Sequence, residues 1–291
     1  MFAAAADGQK ETTPKGCKTR MKAELHQDAR AGLYWRHWPR PGGNPALALH
    51  CSLSHGGEWS GLARARPELD VTAPDLSGHG HLPLWDGRSD LHRGSTDIAL
   101  AMATRIGQGA PVDVIGHSFG GTVALRLALE RPDLIRRLIL IEPVLFAAAK
   151  GSPIWPAYLA EHDALEALHA KGDDAETARQ FLAIWGSGEP IEALLPGLRA
   201  YMIQRIGLVM ALDENLNRDA FGLLAPGGLE GLHRPVLLVQ GAASPPVVAA
   251  IHAELAHRLP EARQAVIPGA GHMLPVTHSA ALAALVGEAL A

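Results

Sequence analysis

The chain alternates short apolar runs with longer stretches in which apolar residues recur at helical intervals, and this alternation restricts the fold more than any other feature of its 291 residues. The runs are PALALHCSL (45–53), LDVTAP (69–74), PVDVIGHS (111–118), RRLILIEPV (136–144), PVLLVQG (235–241) and EARQAVIPG (261–269). Between or after them lie DIALAMATRIG, GGTVALRLALERP, PPVVAAIHAELAHRLP and HSAALAALVGEALA, each with the apolar spacing of an amphipathic helix. Parallel strands need long crossovers, which helices supply, and a strand covered on both faces reads as a continuous apolar run. The pattern therefore predicts an α/β fold with a mostly parallel sheet and helices on both faces. GLYWRHWPR, before residue 41, fits an earlier antiparallel strand joined to the rest through the turn PGGNP.

The rhythm breaks over residues 146–225, which carry helical patterns and Pro or Gly punctuation but no convincing strand. This predicts a helical cap inserted into a core made of residues 26–145 and 226–291. The first twenty residues are polar and aperiodic, so residues 1–25 are expected to form a disordered extension, with Met21 as an alternative start. They lack a basic start followed by an apolar stretch, and no apolar run later in the chain reaches the length of a membrane span, so the protein is expected to be cytoplasmic.

A formal charge of −4 and the absence of any Lys or Arg run after residue 22 argue against nucleic acid as a partner. The two cysteines, Cys17 and Cys51, have no metal-ligand spacing, and a chain of this length can bury an adequate core without disulfide or metal.

Gly116-His117-Ser118-Phe119-Gly120-Gly121 follows an apolar strand and opens a helix, the context that a Gly-x-Ser-x-Gly motif requires. In such a turn the serine backbone is strained and the residues two before and two after it must be small, as Gly116 and Gly120 are. Ser118 is therefore the expected nucleophile. The helix that follows directs its free amides at Ser118, which makes Phe119 N–H the first candidate oxyanion donor.

A serine hydroxyl is a poor nucleophile at neutral pH until an imidazole accepts its proton. Of the fifteen histidines, His272 stands in the loop Pro268-Gly269-Ala270-Gly271-His272-Met273, just after the last strand, on the edge of the sheet where Ser118 also lies. A carboxylate must then orient that imidazole. None follows PVLLVQG, where the chain reads Ala242-Ala243-Ser244-Pro245-Pro246, and Glu254 falls well inside a helix. Glu142 ends the strand beside the elbow strand, where an unpaired charge is costly, and so is the expected acid. Asp75, in Asp75-Leu76-Ser77-Gly78-His79-Gly80, is the rival.

The second oxyanion amide should come from the loop after PALALH, with Ser52 as the candidate and His55-Gly56-Gly57 as the alternative. Trp155, Tyr158 and Trp185, with Tyr201 and Met202, are candidates for a substrate pocket in the cap, and His117 is either a packing or a substrate-binding residue. Trp59 reads as core. His37, His50, His55, His79 and His81 have no spacing that joins them into a metal site, and no Gly-rich loop has nucleotide spacing, so neither metal nor cofactor is expected.

With these residues assembled, residues 30–291 resemble the α/β-hydrolase superfamily, in particular its capped esterase-like members. GHSFGG, DLSGHG and GAGHM look like that family's elbow, its loop after the fourth strand and its histidine loop. The resemblance implies the α/β-hydrolase fold and a chain order of Ser, acid, His. Ser244 stands where the family usually has its aspartate, whereas Glu142 matches a subgroup, related to haloalkane dehalogenases, whose acid follows the preceding strand. The family commonly has His-Gly in its first oxyanion loop; here the dipeptide is His50-Cys51. Dehalogenases use aspartate at the position of Ser118, so their chemistry is excluded. The expected activity is hydrolysis of a small carboxylic ester through an acyl-enzyme. Acyl transfer, thioester or carbon–carbon cleavage on the same site, and ligand binding without catalysis, remain alternatives.

Overall fold

The computed structural model describes residues 22–290. Eight strands form one sheet: β1 (Glu24–Asp28), β2 (Leu33–Trp38), β3 (Asn44–Leu49), β4 (Leu69–Pro74), β5 (Val112–His117), β6 (Ile135–Ile141), β7 (Val236–Gly241) and β8 (Ala262–Ile267). Their order is β1-β2-β4-β3-β5-β6-β7-β8. β2 is antiparallel to β1 and β4, and every other neighbouring pair is parallel. Central β5 is buried at all six positions, which is why it reads as an unbroken apolar run.

The helices are α1 (Ser60–Ala65), α2 (Leu91–Gly107), α3 (Phe119–Glu130), α4 (Trp155–His169), α5 (Asp174–Trp185), α6 (Pro196–Met210), α7 (Asp213–Leu216), α8 (Pro246–Arg258), α9 (Leu274–Thr277) and α10 (Ser279–Leu290). Successive strand residues point to opposite faces, and the two large cores divide accordingly. Leu47, Leu49, Leu138 and Leu140 pack with α2, α3 and α8. Ala46, Ala48, Ile139 and Ile141 pack with α1 and α10, and fully buried Trp59 belongs to this second core.

One boundary differs from expectation. A core beginning at residue 26 would cut β1, which starts at Glu24; the remainder of the expected extension, residues 1–21, lies outside the described residues. β1 reads ELHQD and pairs with β2 alone, so it gains its place from main-chain hydrogen bonds at the sheet edge and carries no apolar pattern to announce it.

Between β6 and β7 the chain makes an excursion that contains α4 to α7 and, among the described residues, no strand. Ala178 and Leu182 of α5 and Ile206 of α6 form a small core with Leu53, from the loop after β3. The inserted helices are thereby seated on the strand ends that carry the site.

Candidate active site

Ser118 occupies the turn between β5 and α3 with φ 54° and ψ −119°, a conformation that a non-glycine residue holds only when its surroundings enforce it. The enforcement comes from two glycines. A Cβ on Gly116 would lie 2.3 Å from Gly120 O, and one on Gly120 would lie 2.3 Å from Leu49 O. Strand, turn and helix thus meet at van der Waals limit. The Ser118 amide donates to Ile141 O at 2.9 Å, which ties the turn to the end of β6.

The loop after β8 brings His272 Nε2 to 2.9 Å from Ser118 Oγ. On its other side, His272 Nδ1 lies 2.6 Å from Glu142 Oε2. Glu142 sits just past β6 with φ 45° and is completely buried. Its second oxygen, Oε1, accepts the Gly241 amide at 2.6 Å and the Ser244 hydroxyl. Burial would raise the Glu142 pKa, but the hydrogen bond and charge of His272, with the Gly241 and Ser244 donors, outweigh it and hold the carboxyl below 4.5. For His272 burial is the largest influence and pushes the imidazole below 6.5, while the hydrogen bond to Glu142 pulls it back up. The imidazole is therefore neutral at neutral pH, with Nδ1–H donating to Glu142 and Nε2 left to accept.

The rival acid is elsewhere. Asp75 is occupied by Arg36, by the amides of Gly56 and His81 and by the His81 ring, and so organises its own loop rather than His272. Those bonds also dispose of the alternative oxyanion loop: the Gly56 amide is committed to Asp75, and the Gly57 amide to His55 Nδ1. The amides of Ser52 and Phe119 have no hydrogen-bond partner among the described residues. Leu53, with φ 60°, turns the loop at this point without a glycine.

A cavity of about 490 Å³ opens over Ser118 and His272, and its apolar wall includes Phe181, Leu182, Trp185, Leu194, Leu198 and Met202. Trp185 meets the His272 ring edge-on at a centroid distance of 4.8 Å. The other aromatic residues expected to line a pocket do not face this cavity. Tyr158 is buried, donates to Asn217 Oδ1 and stacks on Phe146, and Trp155 packs beside it. Tyr201 bridges Gly80 N and Ser54 O. His117 is fully buried and cannot touch substrate; its ring bonds Glu58 and the backbone of His272. A larger groove, about 690 Å³, runs along β6 to β8 beside α10 but holds no serine, cysteine or histidine.

Ser244 was noted in the sequence only as the residue standing in place of an acid, and Glu58 was not singled out. Ser244 carries a weak signal, a polar residue where an acid is expected, and Glu58 a stronger one, a carboxylate abutting a buried tryptophan. The early histidines are engaged separately: His37 of β2 with Asp70, His50 with the Leu76 amide and His81 with Asp75. No helix among the described residues is long and apolar enough to cross a membrane.

Comparison with known proteins agrees with this architecture. The model of the alpha/beta hydrolase family matches residues 46–285. Lipase LipV of Mycobacterium tuberculosis is 38% identical over 133 residues, 45% of this chain and 50% of that protein. A pimeloyl-[acyl-carrier protein] methyl ester esterase of Neisseria meningitidis is 33% identical over 229 residues, 74% of this chain and 80% of the esterase. The solved 2-hydroxy-6-oxo-6-phenylhexa-2,4-dienoate hydrolase of Rhodococcus sp. strain RHA1 superimposes with a TM-score of 0.71 at 19% identity, covering 92% of this chain and 99% of that one. Sequence, relatives and topology lead to one conclusion: the chain belongs to the α/β-hydrolase family.

Proposed function

We propose that this protein is a serine hydrolase that cleaves carboxylic esters of small molecules through an acyl-enzyme on Ser118. The observation that carries the reading is the buried relay of Ser118 Oγ, His272 and Glu142, with contacts of 2.9 and 2.6 Å. The names of the lipase and esterase relatives support the ester as substrate.

In this scheme the Ser118 proton passes to His272 Nε2 as Oγ attacks the acyl carbon. The resulting oxyanion takes hydrogen bonds from the amides of Phe119 and Ser52, whose donors are otherwise unused. Imidazolium returns its proton to the departing alkoxide. Water, deprotonated by the same imidazole, then attacks the acyl carbon, and the acid leaves as the imidazolium returns that proton to Ser118 Oγ. Glu142 stays ionised throughout and stabilises the transient imidazolium. Residues 146–225 act as the cap in this reading, with their apolar wall against the acyl group.

Turnover of a p-nitrophenyl ester series from acetate to decanoate, together with labelling by a fluorophosphonate probe, tests the proposal. Ser118→Ala is expected to abolish labelling and lower turnover by a factor on the order of 10⁴ to 10⁶. Retained turnover in that variant would remove Ser118 from the mechanism, and absence of labelling in folded wild-type protein would favour a ligand-binding role.

A further inference from the structure

A second buried carboxylate–imidazole contact lies beneath the Ser118, His272 and Glu142 array. Glu58 Oε1 is 2.6 Å from His117 Nδ1, and both side chains are completely shielded from solvent. The other ring nitrogen, Nε2, lies 2.9 Å from the backbone carbonyl oxygen of His272. A carbonyl only accepts, so Nε2 carries a hydrogen, and one further proton is shared between Nδ1 and Oε1. The pair is neutral as a whole. Glu58 Oε2 meanwhile accepts the Cys51 amide at 3.2 Å, one residue before Ser52. One carboxylate therefore reaches the loop after β3, the last residue of β5 and, through His117, the peptide that bears His272.

Burial alone would raise the Glu58 pKa; the charge and hydrogen bond of His117, helped by His50 and the Cys51 amide, reverse this and bring it down to about 2. An ion pair of this kind contributes little net stability, because desolvation offsets the attraction and an apolar pair of equal volume serves as well. What it supplies is a fixed relation among three chain segments. We propose that Glu58, acting through His117, is a positioning residue that fixes the His272 peptide and the Ser52 amide for acyl transfer. This inference rests on the reading of Ser118 as nucleophile. Glu142 holds one ring nitrogen of His272, and His117 holds its carbonyl, so both ends of the residue are anchored while Nε2 faces Ser118.

The test measures kcat and KM per fluorophosphonate-titrated site with p-nitrophenyl butyrate. Glu58→Ala is expected to lower kcat about ten- to hundredfold and to change KM less than about threefold, the signature of misplaced reacting groups. Glu58→Gln should rescue most of the loss. Its amide N–H donates to a neutral His117 Nδ1 while its carbonyl accepts the Cys51 amide, so each hydrogen bond survives without the charge. A purely structural role would lower the yield or Tm of Glu58→Ala but leave kcat per titrated site unchanged, and that result overturns the proposal. Folded Glu58→Gln as impaired as Glu58→Ala overturns it too. Should Glu58→Ala fail to fold, Glu58→Leu with His117→Phe removes both polar partners and orphans no charge; the same loss of kcat is expected, and wild-type kcat again overturns the role. Ser118→Ala, assayed in parallel, separates the two readings. Retained turnover there defeats the nucleophile assignment, whereas its loss alongside fully active Glu58 variants defeats only the positioning role.

Discussion

His272 is subject to opposed influences, burial lowering its pKa and Glu142 raising it, with burial the larger. In the proposed mechanism the base must be unprotonated to accept the serine hydrogen, so activity is expected to fall as pH drops through the imidazole pKa of the folded protein. The acid limb of kcat/KM is therefore expected to have its midpoint below pH 6.5, a value below which an unperturbed histidine would already be mostly charged. Glu142→Gln removes the carboxylate that raises the pKa, so the limb should move to still lower pH while kcat falls by about 10² to 10⁴. A rate profile from pH 4 to 9 checks both. At this scale the turn at Ser118 was legible because a strained strand-to-helix turn leaves a glycine signature on either side of its central residue. Glu142 was legible because a charge that closes an apolar strand requires a partner. The fold's use of His117 was not: one histidine letter looks the same whether the ring lines a cavity or braces a backbone carbonyl.

The strands could be read because burial on both faces leaves continuous apolar runs; β1 escaped because a polar edge strand obeys no such rule. The elbow depends on its glycines as packing elements. Gly120→Ala would press a methyl group to 2.3 Å from Leu49 O and 2.5 Å from His50 O, driving the end of β3 away from α3. Overpacking of this kind costs about 1–3 kcal/mol, so Tm should fall by several degrees and turnover with it. Gly197→Ala is the control: in α6 a Cβ at that position meets nothing within 4 Å. Helix propensity favours alanine by up to ~1 kcal/mol, so thermal unfolding of that variant should be unchanged or slightly later.

For the molecule as a whole, the inserted helices supply much of the apolar wall of the cavity over Ser118 and His272. Trp185 closes one side of the His272 ring. Trp185→Ala should admit water to the imidazole, weaken the burial that depresses its pKa and shift the acid limb of kcat/KM upward toward pH 6.5. The same variant enlarges the cavity, and the preferred ester in a chain-length series is expected to become longer. That an insertion of helices existed was readable from the missing strands, but which aromatic residues face the cavity was not, since helical spacing names a buried face without naming its neighbour. The Ser244 hydroxyl meets Glu142 Oε1 across the ends of β6 and β7, so a carboxylate moved to position 244 would enter the space beside the one Glu142 occupies. Relocation needs only two codons: Glu142→Ser with Ser244→Asp should recover part of what Glu142→Ser alone forfeits. A carboxylate at both positions at once would crowd two anions together and compel one to keep its proton, so Ser244→Asp alone should add an acid group whose protonation depends on its neighbour.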